Sequence, residues 1–230
     1  PVGVVQLGRD RIVFAFFEVD ATAPYAVAFK LNLAFYECEG LKGWQQFEMT
    51  ADYIRGNYPD QFLIADAKRG DIGNTAKKYA AAFFEQNDFD AVTIAPYMGQ
   101  DSVEPFLDYE GKWAIVLALT SNPSSSDFET LEISGNNNPL FKEVISRTME
   151  WGTKDNIMFV CGATKAQKLT EIREICPENF LLVPGVGAQG GSVEEVSAYG
   201  MNNRCGLLIN ASRSRSEERR VGKECRYRWS

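Results

Sequence analysis

The chain has 230 residues, 45% hydrophobic and 24% charged, with a formal net charge of −7 and no histidine at all. That length is enough for one large core, and no apolar run approaches the roughly 20 residues that span a bilayer, so a soluble, non-membrane protein is expected. The acidic balance argues against a nucleic-acid surface, which needs clustered Lys and Arg. The missing histidine removes His-based triads, the usual zinc sites and imidazole acids, which leaves catalysis to Lys, Asp, Glu, Ser or Thr.

The start, Pro1-Val2-Gly3-Val4-Val5, has neither a basic leader nor a small-residue cleavage site, and a cytoplasmic location is the expectation. Short apolar runs then follow at residues 25–31, 62–67, 91–95, 113–119, 157–161, 180–183 and 206–209. They are continuous rather than alternating, as parallel strands covered on both faces should be. Amphipathic segments lie between them. In residues 75–84, Ala76, Tyr79, Ala80 and Phe83 fall on one helical face while Lys77 and Lys78 fall elsewhere. Alternating strands and helices predict an α/β fold, either a (β/α)8 barrel or a doubly wound sheet. The five cysteines, Cys38, Cys161, Cys176, Cys205 and Cys225, form no C-x-x-C pair and read as small hydrophobes rather than a disulfide framework.

Polar and glycine residues gather just after the strand candidates: Lys30 and Asn32, residues 68–71, 120–126 and 185–191, and Arg213. In a barrel all these positions converge on one rim, which favours the barrel over the open sheet. Residues 123–138, rich in Ser, Asn, Gly and Pro, are the longest loop candidate, read as a lid over a substrate or as a mobile connection.

The densest stretch of chemistry is Ile64-Ala65-Asp66-Ala67-Lys68-Arg69-Gly70-Asp71-Ile72-Gly73-Asn74-Thr75. Asp66 and Lys68 are two apart at a strand end and should point the same way. Asp71 and Thr75 are four apart and should share a face where the next helix begins. From spacing alone, an Asp-assisted helix start is as good an explanation as a catalytic array. Gly185 to Gly191 offers backbone N–H groups at a strand-to-helix turn, a phosphate cradle or simply a tight connection. Ser121 is either a site residue or an ordinary loop serine ahead of Pro123.

The array D-x-K-x-x-D with a Thr four residues on resembles the signature of the orotidine 5′-phosphate decarboxylases, and of their second bacterial subgroup in particular. The similarity continues in order through Asp20-Ala21-Thr22, Lys30 to Glu37, Thr93 to Gly99, Thr120-Ser121-Asn122-Pro123, Gly162-Ala163-Thr164, Pro184 to Gly191 and Asn210 to Ser214, covering about residues 10–214. The resemblance implies a TIM (β/α)8 barrel that binds orotidine 5′-phosphate without cofactor or metal and works as a homodimer with shared sites. It implies that Lys30, Asp66, Lys68 and Asp71 form an alternating charged array, with Asp71 and Thr75 reaching into the partner subunit. It assigns Ser121 to the pyrimidine ring, Asn32 to the substrate, and Gly187, Gln189, Gly190 and Arg213 to the phosphate. A carboxylate at Asp66 facing the substrate carboxylate is a like-charge contact worth roughly 4 kcal/mol at about 4 Å for an effective dielectric near 20. Lys68 would stabilise the carbanion at the pyrimidine C6 and then protonate it.

Two departures stand out. The family's first strand carries an Asp in a G-L-D-x-D-like segment that is not recognisable in Pro1 to Arg9, so the first strand is expected to be missing, leaving seven and two unpaired edges. Position 31 is Leu where the subgroup has Pro. Residues 1–214 therefore read as one barrel domain without its first strand and last helix, and residues 215–230 as vector-derived or non-native sequence, set aside from fold reasoning. Two alternatives are carried: a Mg-dependent sugar-phosphate decarboxylase or lyase of the same suprafamily, and an inactive phosphate-binding barrel.

Overall fold

The computed structural model describes residues 3–7, 12–187 and 190–211. Its strands are β1 (Gly3–Leu7), β2 (Ala28–Asn32), β3 (Phe62–Arg69), β4 (Ala91–Ile94), β5 (Trp113–Leu119), β6 (Ile157–Cys161), β7 (Leu181–Pro184) and β8 (Leu207–Ala211). They pair in parallel in sequence order and β8 returns to β1, closing the barrel. Helices α1 (Ile12–Thr22), α2 (Ala34–Glu37), α3 (Gly40–Asn57), α4 (Gly73–Phe84), α5 (Glu104–Leu107), α6 (Leu140–Trp151), α7 (Lys168–Ile175) and α8 (Val193–Gly200) wrap it.

All seven expected strands are present with small shifts at their ends. Residues Ala23–Tyr25 form a 3-10 turn instead of opening β2, since Pro24 supplies no backbone N–H for a ladder. The expectation of a missing first strand is overturned by β1. Val4 pairs with Ala28 on one side and Asn210 on the other, and Val5 with Phe29 and Ala211. Val4, Val5 and Leu7 are buried, so this short segment has the apolar content that a strand covered on both faces requires. The absence of an acidic motif removed a chemical signature, not the capacity to pair. The expected loss of the last helix and the non-native tail fall outside the described residues, as does Cys225.

Strand alternation sorts the barrel into shells. Val4, Ala28, Ile64, Ala91, Ile115, Met158, Leu182 and Leu208 point inward and make one apolar plug, closed below by Phe62, Trp113 and Phe180. Two residues further along their strands, Gln6, Lys30, Asp66, Thr93 and Asn210 face the same interior and form a polar layer above the plug. The opposite faces, among them Phe29, Leu31, Leu63, Ala65 and Val92, meet the helices. On α4, Ala76, Ala80 and Phe83 are buried while Lys77 and Lys78 stay exposed, as the helical spacing predicted. Phe47 of α3 stacks on Phe89 with ring centroids 5.1 Å apart, backing the β2–β3–β4 wall. Cys161 and Cys176 are buried as expected, whereas Cys38 is exposed.

The end of the barrel away from the polar layer is tied by Arg173. Its Nε donates to the Gly200 carbonyl at 2.7 Å, Nη1 to those of Cys176 and Asn179 at 3.2 and 2.6 Å, and Nη2 to that of Gly206 at 2.8 Å. One guanidinium thus joins α7 to the loops entering β7 and β8. Gly206 is required there, because its φ is +68° and a Cβ would come within 2.7 Å of the guanidinium. Arg173→Ala leaves these carbonyls without their charged donor and is expected to cost about 2–4 kcal/mol, a fall of roughly 5–15 °C in Tm for a domain of this size. Thermal melting checks this; a variant that melts within about a degree of the parent would show that Arg173 ties nothing together.

Candidate active site

The polar layer centres on Asp66, which is 8% exposed at the mouth end of β3. Its carboxylate forms ion pairs with Lys30 through Oδ2 and with Lys68 through Oδ1, and the Thr93 hydroxyl donates to Oδ1 at 3.1 Å. Lys30 comes from the adjacent strand, pairs in register with Ile64, and is 2% exposed. It also donates to Gln6 Oε1 on β1 at 3.1 Å, and the Asn210 amide on β8 reaches the same oxygen at 3.3 Å. One continuous polar network therefore runs through β8, β1, β2, β3 and β4.

Burial pushes the Lys30 ammonium below its ordinary range, helped by repulsion from Lys68, while Asp66 opposes the shift. Burial alone would raise the Asp66 carboxyl, yet Lys30 and Lys68, through charge and hydrogen bonding, hold it below its ordinary value. The stability this carboxylate contributes is complete above the ordinary carboxyl pKa and is lost as pH falls through the lower folded value.

Lys68 reaches Asp66 by a local departure from strand geometry. The β3–β4 ladder pairs Ala65 with Val92 but Arg69 with Ile94, so four steps on β3 are matched by two on β4. Within this bulge Lys68 has φ +47°, a left-handed conformation that costs an L residue about 1–2 kcal/mol. Its N–H donates to Thr93 Oγ1 at 2.9 Å, which holds the bulge. The lysine side chain is left half exposed at the mouth while Asp66 and Lys30 are closed off. Arg69, the next residue, turns outward to pair with Glu37 and to lie over the Tyr79 ring at 5.4 Å.

The other expected residues divide. Asn32 pairs in register with Asp66, and its side-chain oxygen accepts from the Ala34 N–H at 3.2 Å. Asp71 accepts from the Ile72 N–H at 2.8 Å, and Thr75 is exposed on the first turn of α4. Ser121 stands just beyond β5, its carbonyl receiving the Thr164 hydroxyl at 3.0 Å. A Cβ on Gly162 would come within 2.6 Å of the Ser121 backbone, so a glycine is what permits β6 to approach it. In the glycine-rich turn, the N–H of Gly187 bonds to Gly191 O at 2.9 Å and that of Gly190 to Gly187 O at 2.8 Å, so these donors are engaged within the turn itself. Gln189 and Arg213 lie outside the described residues.

Sequence reasoning passed over Gln6, Thr93 and Asn210 as site residues. Each is a lone polar residue at an inward position of a strand, a signal readable only once register is known. In the loop after β5, residues Pro123–Asp127 form a 3-10 turn, Ser125 is buried and receives the Lys165 ammonium, and Glu132 bridges to Pro139. Among the described residues, no three His, Cys, Asp or Glu side chains converge as a metal site would require, and no helix is long and apolar enough to cross a membrane.

Comparison with known proteins gives this arrangement its family. The model of the orotidine 5′-phosphate decarboxylase / HUMPS family matches residues 15–214. The chain is 59% identical to the orotidine 5′-phosphate decarboxylase of Phocaeicola vulgatus over 210 residues, 90% of this chain and 77% of that protein. It is 57% identical to that of Christiangramia forsetii over 209 residues, 90% of this chain and 76% of the other. Among solved structures, Leishmania donovani OMP decarboxylase superposes with a TM-score of 0.84 at 32% identity, covering 92% of this chain and 84% of that one. The UMP synthase of the same organism gives 0.86 at 34% identity, with 92% of this chain matching 48% of a longer one. The chain belongs to the orotidine 5′-phosphate decarboxylase / HUMPS family.

Proposed function

We propose that this protein decarboxylates orotidine 5′-phosphate to uridine 5′-phosphate in pyrimidine synthesis, in the cytoplasm and without metal or cofactor. The observation that carries the proposal is a buried carboxylate, Asp66, held between Lys30 and Lys68 where the barrel opens. A substrate seated with its own carboxylate beside Asp66 meets like charge, and loss of carbon dioxide relieves it. The bond from C6 to the carboxylate carbon breaks, carbon dioxide departs, and the electron pair stays on C6. The half-exposed Lys68 ammonium neutralises that charge as it develops and then gives C6 a proton, which solvent replaces. Stabilisation of the carbanion is the larger contribution, with ground-state repulsion second.

In this reading Lys30 fixes Asp66, Asn32 and Thr75 contact the substrate, and Ser121 hydrogen-bonds the pyrimidine ring. Gly187, Gln189, Gly190 and Arg213 hold the phosphate, for which a guanidinium is the natural partner. The glycine N–H groups would exchange their bonds within the turn for phosphate oxygens. Nucleic acid is not a partner. The working unit is a homodimer in which Asp71 and Thr75 complete the neighbour's site. Support comes from the rim beside Asp71, where Ile72, Tyr97 and Met98 are exposed apolar residues and Gly70 packs against Ala95 and Met98, leaving a surface suited to a second copy.

Lys68→Ala is expected to reduce decarboxylation by about 10²–10⁴-fold or more while uridine 5′-phosphate still binds. Residual activity above a few per cent would remove Lys68 from the donor role. Native activity is expected to persist in chelator; activity that vanishes with the metal would instead favour the Mg-dependent sugar-phosphate chemistry. Binding without turnover would mark an inactive phosphate-binding barrel.

Mixing Lys68→Ala with Asp71→Ala protein tests the shared site. Each mixed dimer holds one site with both defects and one with neither, so up to about half the native activity per mixed dimer should return. A mixture that exchanges subunits yet stays inactive would place Asp71 within its own chain's site.

A further inference from the structure

We propose that Glu129 is a positioning residue for the reaction: its carboxylate fixes the end of β5 so that Ser121 is presented to the pyrimidine ring. The inference rests on the role given to Ser121 above. The β5–β6 ladder slips between Leu117 and Leu119 and ends where Leu119 meets Cys161, so Thr120 is the first residue beyond it. The Thr120 N–H donates to Glu129 Oε2 at 2.7 Å, and the Thr120 hydroxyl shares its one proton between Glu129 Oε1 at 2.7 Å and Asn122 Oδ1 at 2.6 Å. Both carboxylate oxygens thus face the residue directly before Ser121.

Glu129 is itself anchored. Its N–H bonds to Ser125 O at 2.9 Å, and its carbonyl receives the Phe141 N–H at 2.9 Å from the first turn of α6. Ser125 in turn takes the Lys165 ammonium. From the other side, Thr164 holds the Ser121 carbonyl, and Gly162 lets the β6 end pack against the Ser121 backbone. Ser121 therefore sits between a brace through Glu129 and Thr120 and a brace from the residues after β6. A carboxylate holds the first brace by accepting from the Thr120 N–H and facing its hydroxyl; glutamine keeps the N–H acceptor and can only turn the second contact round, its NH2 donating to the hydroxyl oxygen without the charge, and alanine keeps neither. A reacting geometry that loosens by about an ångström can lose on the order of 10²-fold in rate.

The test is a double-mutant cycle on decarboxylation, with melting temperatures measured alongside, for the parent, E129A, E129Q, S121A and E129A/S121A. The expected result is that E129A lowers kcat/KM by roughly 10–100-fold, that E129Q falls between it and the parent, and that adding E129A to S121A costs no more than about twofold further. That loss of effect is what a merely structural role would not produce. If S121A is impaired but E129A is either silent or equally costly in both backgrounds, the positioning role is overturned while the Ser121 assignment stands. If S121A behaves as the parent, the Ser121 assignment falls and this inference with it. Should E129A melt too low to assay, E129Q closes the cycle with the same criteria.

Discussion

A carboxylate taken out of water must be compensated, and in this protein that requirement falls on Asp66. An isolated ion in a low-dielectric interior costs several kcal/mol even after relaxation, so a buried aspartate persists only where cations and donors surround it. Lys30, Lys68 and the Thr93 hydroxyl supply them. The pair of lysines is not an economical way to stabilise a fold, since well-packed apolar residues would serve as well or better. What the arrangement provides is a closed-off negative charge beside a half-exposed ammonium at the open end of the barrel.

The rest of the architecture makes that pairing possible. Strand alternation sends Ile64 into the apolar plug and Asp66, two residues on, into the polar layer, while register places Lys30 on the neighbouring strand beside it. The β3–β4 bulge lets Lys68 stay within reach of Asp66 from a left-handed backbone that a regular strand would not contain. Strain of this kind survives only where surrounding structure over-determines it, and the Lys68 N–H to Thr93 bond does so. In β1, Gln6 brings an uncharged acceptor to Lys30, and Asp66 is the one anion bonded to both lysines within this subunit's described residues.

Much of this was legible in the sequence because the signals are local. Seven apolar runs marked seven strands, and the spacing of Asp66 and Lys68 placed both at one strand end. The eighth strand was not legible: five residues between uninformative neighbours carry little periodicity, and the missing Asp motif outweighed the apolar content of Val4, Val5 and Leu7. Gln6, Thr93 and Asn210 were hidden for another reason, since a single polar residue in an apolar run acquires meaning only from the register of strands distant in sequence. Glu129 lay in a loop whose composition suggested mobility, and its bond to Thr120 depends on how that loop folds back. Thr75 is found on the first turn of α4, but Asp71 lies ahead of that helix and of its extended Ile72 cap, so the four-residue helical spacing that was expected to put the two on one face does not apply to them.

In the proposed reaction the Asp66–Lys68 array stabilises negative charge at the pyrimidine C6. This is tested most directly without the substrate carboxylate, by following the C6 hydrogen of uridine 5′-phosphate by NMR in heavy water. The protein is expected to replace this hydrogen with deuterium, and Lys68→Ala protein is expected to leave it in place. A preparation that decarboxylates orotidine 5′-phosphate yet leaves the C6 hydrogen untouched, or a Lys68→Ala variant that exchanges it as fast as the parent, would mean that Lys68 does not stabilise charge at C6.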